Sequence, residues 1–264
     1  MKNRIDKYYY SKNDIKKALK EIGLESGDSI FVHSNIGFFG ALKGANLPED
    51  YYRIFKDAII EIIGAQGTLT VPTFSYSYCH GEIFDPKTTP GVGGFFSEMV
   101  RLDSKSIRSV DANFSIAAIG KRAKYFTDSP SEHSFSDNCF WERFLNSDGK
   151  FVNFNFDAAS TFIHYVEKKL NVSYRYDKAF IGSSIIDGKK NSGFFYHFVY
   201  DLGKPTNDVD FTRFDKKAKK LGLAKVVNLG KGQIVSITAR DAFDLIKSEL
   251  KINPAFLIKG DRIV

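Results

Sequence analysis

The sequence predicts an α/β fold: a single domain with a mixed, partly parallel central sheet flanked by helices. Three observations carry this. A strand at residues 30–33, a helix at 48–63 and a second strand at 68–77 follow one another with short joins. That order is a βαβ unit, whose crossover makes the two strands parallel. The stretch 153–167 (NFNFDAASTFIHYVE) makes the same change of period, from alternating apolar residues to a helical stripe. No linker, repeat or low-complexity segment divides the 264 residues, so one core is expected to serve residues 1–264.

Residues 11–26 open as an amphipathic helix, with Ile15, Ala18, Leu19 and Ile22 as its stripe and Gly23 at its end. The strand at 30–33 then runs into a glycine-punctuated loop, setting His33, Ser34, Asn35, Gly37 and Gly40 at its C-terminal end. Open α/β sheets bind ligands at such ends, and backbone N–H groups exposed there suit an anion or a carbonyl oxygen. A turn that merely needs glycine dihedrals reads the same way locally. Pro48 starts the second helix and Gly64 follows it. The next strand, TLTVPTFSYS, brings Thr73, Ser75 and Tyr76 to a second strand end.

A loop rich in Pro, Gly and Thr (79–94) leads to a short helix at 94–102. In RSVDANFSIAAIG, Arg108, Ser109, Asp111, Asn113 and Ser115 directly precede an apolar strand. Polar loops feeding buried strands tend to carry function. A polar loop from residue 121 and a helix at 140–145 come before the 153–167 stretch. In that stretch Asp157, Ser160 and Thr161 favour a helix start, and His164 and Glu167 share one helix face. An imidazole and a carboxylate delivered together after a strand end can form a site, or a hydrogen-bonded packing pair. Beyond it, VSYRYDKAFIGS gathers Arg175, Lys178 and three rings at the start of another strand. GFFYHFVYDL and KVVNLGKGQIVSITA read as strands, and 239–250 as a final helix.

Composition narrows the chemistry. Hydrophobic residues at 43% and charged residues at 26% describe a soluble globular chain. Two cysteines, Cys79 and Cys139, are too few for a disulfide scaffold, and no Cys/His spacing matches a metal site. The charged start lacks an apolar signal core, and no window approaches roughly 18 uncharged apolar residues, so the cytoplasm is expected and a membrane is not. The net charge of +7 favours an anionic partner. Its densest run, Lys216, Lys217, Lys219 and Lys220, is expected as a solvated helix face, because no nucleic-acid-binding pattern accompanies it. A phosphorylated small molecule is the more economical anion.

In combination these segments become specific. GDSIFVHSNIGFFG, GTLTVPTFS, FDPKTTPGVGGFFSEMVR, RSVDANFSIAAIG and STFIHYVE occur in this order. The chain resembles, over roughly residues 11–185, the aminoglycoside 3-N-acetyltransferase family, which moves an acyl group from coenzyme A to a sugar amine. It departs from that family's drug-modifying members at one place. Where they read Arg-Ser-x-His-Pro-x-x-Ser, Asp111 replaces the histidine and Ala112 the proline. The closer likeness is to the branch serving bacterial surface-polysaccharide (O-antigen, lipopolysaccharide) biosynthesis, whose acceptors are nucleotide-linked deoxyamino sugars, typically dTDP sugars.

The resemblance implies an acyl-CoA-dependent N-acyltransferase, with acetyl-CoA or 3-hydroxybutyryl-CoA as co-substrate and no metal. His164 matches the family's histidine and is the expected general base; Asp111 or Glu167 would orient it, and Glu167 could instead take the substrate ammonium. His33, Ser34, Asn35, Gly37, Thr73, Ser109 and Ser115 are expected around the cofactor. Tyr76, Arg108, Arg175 and Lys178 are expected around the substrate, the last two against a nucleotide base and diphosphate. A thioester is already activated, so no covalent nucleophile is needed and Cys79 is not expected to be one. In the bland alternative, His33 and His197 are core strand residues and Asp111 caps a turn. Two other functions compete: an aminoglycoside as acceptor, against which a positive chain argues, and a non-catalytic module binding an anion through residues 216–220. A homodimer is compatible with the sequence, though no motif encodes one.

Overall fold

The computed structural model describes residues 9–128, 132–201, 203–204 and 208–260. The charged start (1–8) and part of the polar loop after residue 121 (129–131) lie outside the described residues. A seven-stranded sheet runs in the order β4 (Ile107–Arg108), β5 (Ile116–Gly120), β2 (Thr68–Pro72), β1 (Ser29–Ser34), β6 (Lys150–Phe154), β10 (Gly232–Thr238), β9 (Lys225–Leu229). β1 is parallel to both β2 and β6, and the outer pairings are antiparallel. The sheet is thus mixed and partly parallel, as the βαβ pattern requires.

Alternation along β1 explains why it reads as a continuous apolar run. Phe31 packs into one core with Trp141, Phe151, Phe162 and Val235, whereas Ile30 and Val32 face Phe55, Ile59 and Val152 on the other side. A strand covered on both faces has no polar side to show. The Ile30 side carries α1 (Lys12–Glu21), α2 (Pro48–Ile63) and α3 (Phe95–Leu102). The Phe31 side carries α4 (Ala123–Thr127), α5 (Phe140–Leu145), α6 (Phe162–Lys169), α7 (Thr212–Lys220) and α8 (Ala239–Ile252). Much of the phenylalanine surplus fills this second layer, where rings meet at 5–6 Å in tilted and edge-on contacts. Ser11 and Asp14 close a capping box at the start of α1, and Gly23, at φ 90°, follows its C-cap residue Ile22.

Three expectations shift. The strand read as 68–77 leaves the sheet after Pro72; Thr73, Ser75 and Ser77 instead hydrogen-bond backbone to backbone with residues 112–115. β7 (Arg175–Ile186) and β8 (Lys189–Tyr200) do not join the main sheet. They form a hairpin, twelve residues a side, which with β3 (Ile83–Phe84) makes a separate three-stranded sheet. Both faces of the hairpin are largely exposed, so strand propensity located it but no buried face could assign it to a sheet. Finally, Thr161 is the N-cap residue of α6 but gives no side-chain cap. Among the described residues no helix is long and apolar enough to cross a membrane.

Candidate active site

The C-terminal tips of β1 and β6 lie side by side, His33 opposite Asn153. Beyond them the chain turns through a short 3-10 segment (Ile36–Phe39), and a cleft of ≈ 900 Å³ opens. Ser34, Asn35 and Gly37 line one wall, Gly93, Gly94 and Phe95 another, with Leu47 and Phe156 on the rim. A side chain at Gly93 would meet the Pro72 carbonyl at 2.3 Å, so glycine there lets the loop cross the end of β2. The Ser34 hydroxyl is buried without a partner at the cleft wall, and Leu47, Val92 and Phe156 are exposed around it. A slot of glycine backbone, apolar rim and one unused hydroxyl suits a long, thin ligand with a few polar atoms, such as a pantetheine arm.

The remaining positions expected around the cofactor are elsewhere. Thr73, Ser109 and Ser115 are buried and do not line the cleft. Thr73 and Ser115 form one knot with Arg108, whose Nε faces both hydroxyls at 3.2 and 3.1 Å and whose Nη2 donates to the Thr73 carbonyl at 2.7 Å. Arg108 also donates to the carbonyls of Pro86 and Thr89, pinning the 84–91 loop over the strand ends. Ser109 accepts the Ile116 N–H at 3.0 Å. Arg108, expected around the substrate, is held by these bonds as a strut between the loop and the strand ends. Burial lowers its pKa to about 10, which leaves it charged.

His164 occupies the first turn of α6, side chain 21% exposed, and its Nδ1 lies 2.8 Å from Oε2 of the fully buried Glu167. The N–H on Nδ1 donates to the carboxylate, which leaves Nε2 as the acceptor. Glu167 also accepts from the Tyr174 hydroxyl at 2.9 Å and pairs with the Arg175 guanidinium at 2.8 Å. Burial raises the Glu167 pKa, but His164, Arg175 and Tyr174 together outweigh it and hold the carboxyl below its usual range. Burial, then the Arg175 charge, push His164 down from 6.5 against the pull of Glu167. A neutral imidazole backed by an ionised carboxylate is the resting state of a general base. Phe135 and Phe211 wall the imidazole, with ring centroids at 5.6 and 5.8 Å.

The structure separates the two carboxylates proposed to orient His164. Asp111 is buried and accepts the backbone N–H groups of Asn113 and Phe114 at 2.9 and 2.8 Å, capping its own turn. Arg175, expected at a diphosphate, is buried and engaged by Glu167. Lys178 is exposed on the hairpin over the Phe180 ring, and Tyr76, at φ 53°, packs edge-on against Phe114. His33 is backed by the Asn153 amide oxygen at 3.2 Å and burial pushes it down to about 4. The Cys79 thiol lies 3.7 Å from His197, and burial raises it to about 11, far from a thiolate nucleophile. Asn153 and the Phe135 and Phe211 rings carry no functional signal in the sequence, and Tyr174, one of the three rings expected at a nucleotide base, instead donates to Glu167. Among the described residues no cluster of His, Cys, Asp or Glu could hold a metal ion.

The model of the family described as "Aminoglycoside 3-N-acetyltransferase" matches residues 31–251. Among solved structures, the chain is similar to AAC-IIIb in its binary complex with CoASH, at 16% identity, covering 96% of this chain and 100% of that one, with a TM-score of 0.78. It is similar to AAC-VIa bound to sisomicin at 21% identity, covering 92% and 97%, with a TM-score of 0.77. The YokD protein from Bacillus subtilis gives 18% identity, 92% and 99% coverage and a TM-score of 0.74. At these identities the likeness speaks for the fold. No curated protein sequence matches. The family model, in contrast, spans both walls of the cleft and the His164–Glu167 pair: the chain belongs to the aminoglycoside 3-N-acetyltransferase family and is an acyl-CoA-dependent N-acyltransferase.

Proposed function

We propose that the protein acetylates a primary amine of an aminoglycoside-type amino sugar, using acetyl-CoA directly with His164 as general base. One observation carries the mechanism: an imidazole held neutral, its Nδ1 N–H fixed on a buried ionised carboxylate and its Nε2 free to accept. As the amine lone pair attacks the thioester carbonyl, the C–N bond forms and the C–S bond breaks. His164 Nε2 takes the amine proton and returns it to the leaving thiolate. Ser34 and the glycine backbone of residues 37, 93 and 94 would hold the donor arm in the cleft. Glu167 keeps the tautomer and stabilises the imidazolium formed in transit.

The acceptor reading draws support from the family and from the sisomicin complex of AAC-VIa. It draws support also from Arg175, which a diphosphate would need and which Glu167 already holds. A second reading, a nucleotide-linked deoxyamino sugar with acetyl or 3-hydroxybutyryl as the acyl group, is favoured by Asp111 at the departing position and by the net charge of +7. Thiol release from both acyl-CoA donors, followed by mass spectrometry, is measured against sisomicin, gentamicin and a panel of dTDP- and UDP-linked amino sugars. Acetylated sisomicin or gentamicin is expected. An acylated nucleotide sugar with no signal on the drugs overturns this in favour of the second reading, and no transfer to any amine removes both.

A further inference from the structure

The hairpin reaches the catalytic helix from behind. Two crossed ion pairs join them: Glu167 of α6 with Arg175 of β7 at 2.8 Å, and Lys168 of α6 with Asp177 of β7 at 2.6 Å. Residues 175 and 177 share one strand face, so β7 presents a positive and then a negative group to a negative and then a positive one. A slip of β7 by two residues would set like charges together, so the order fixes the register of strand against helix. Arg175 is in turn held from β8: its Nη1 donates to the Phe198 carbonyl at 3.2 Å, and its guanidinium lies 5.4 Å from the Tyr200 ring centroid. Its side chain is 4% exposed.

We propose that Arg175 is the positioning residue of the catalytic base: it holds Glu167 against Nδ1 of His164 and sets a fixed positive charge behind the imidazole. The hairpin, rather than α6 alone, then tunes the base. This rests on the reading of His164 as the base. The charges that face His164 are few. Glu167 comes from its own helix and Arg175 from β7; the 132–136 segment contributes the ring of Phe135, and the residue that precedes α7 the ring of Phe211. Tyr174 donates to Glu167, and the next groups out, Lys168, Asp177 and His133, pair with one another. Among the described residues Arg175 is the cation paired with the carboxylate behind the imidazole, and after burial it is the largest influence keeping His164 neutral.

The test replaces Arg175 by glutamine, which removes the charge but keeps a donor for Glu167, and by lysine, which keeps the charge. The imidazole of His164 is titrated by NMR, and kcat/KM is followed against pH with acetyl-CoA and sisomicin. In Arg175→Gln the His164 titration and the acid limb of the rate are expected to rise together by about one pH unit. KM should stay near wild type while kcat at pH 6 falls. Arg175→Lys is expected to restore the wild-type titration. A folded Gln variant whose His164 titrates as in wild type overturns the proposal. Should the Gln variant fail to fold, a folded Lys variant titrating above wild type overturns it equally. The NMR readout needs no turnover: a shifted titration without acyl transfer sinks the functional reading alone, and His164-dependent transfer with a titration blind to residue 175 sinks this one alone.

Discussion

Two imidazoles at this site share a tautomer and differ in what stands behind them. At the strand tips, Asn153 donates from its amide nitrogen to the carbonyls of Asp157 and Ala159, so its oxygen faces Nδ1 of His33. At the helix, the Glu167 carboxylate faces Nδ1 of His164. Both rings therefore leave Nε2 as an acceptor. The neutral amide oxygen favours a positive ring only weakly, and burial outweighs it and drives His33 down to about 4. A carboxylate does so far more strongly, which is what the proposed mechanism asks of His164 when it accepts a proton and returns it. The difference is the charge of the backing group, and on the proposed reading it separates a packing histidine from a base.

The comparison breaks most sharply at His164. Changing it to Gln is expected to lower kcat by about 10²–10⁴-fold. Binding of CoA to the cleft, measured by calorimetry, should hold, because His164 does not line that cleft. Glu167→Gln turns the second region into a copy of the first. Turnover is expected to fall by about a hundredfold as the imidazolium loses its partner. The variant also strands the Arg175 charge, so it should be less stable by about 3–5 kcal/mol in chemical denaturation. A variant with wild-type kcat would mean the carboxylate only packs.

The smallest effect is expected at His33. In His33→Gln, kcat should change less than tenfold and its acid limb not at all. Stability carries the signature instead. The folded-state pKa of His33 is depressed, so its neutral form is favoured by folding. That contribution is fully present above 6.5 and is lost as pH falls from 6.5 towards 4. The substitution should therefore lessen acid destabilisation in that window, measured by thermal unfolding against pH. Unchanged acid stability would show that His33 is already hydrated in the fold.

Much of this was legible beforehand, and the limits are instructive. The βαβ unit, the α1 and α2 stripes and the change of period before α6 came from local periodicity alone. The i, i+3 spacing of His164 and Glu167 put both on one helix face, so their contact needed no tertiary knowledge. Arg108 and Arg175 gave no such handle. Both are expected around the substrate, Arg175 at a diphosphate, because a charged residue in a loop or at a strand start looks the same whether it meets solvent, carbonyls or a carboxylate. Asp111 and Glu167 were equally open because nothing local says whether an acidic residue caps its own turn, as Asp111 does, or turns to an imidazole, as Glu167 does.

The sequence by itself determined the fold class and the family, through periodicity and the order of its motifs, and it set His164 and Glu167 on one helix face. Only the tertiary structure decided which carboxylate faces His164 and what backs it, that Arg108 braces a loop while Arg175 backs Glu167, and that the hairpin stands outside the main sheet. Those outcomes depend on burial and on charges brought together across eight to more than thirty residues, such as Glu167 with Arg175 and Arg108 with Thr73. The physics of a pair in low dielectric belongs to the folded arrangement, not to either residue's place in the chain.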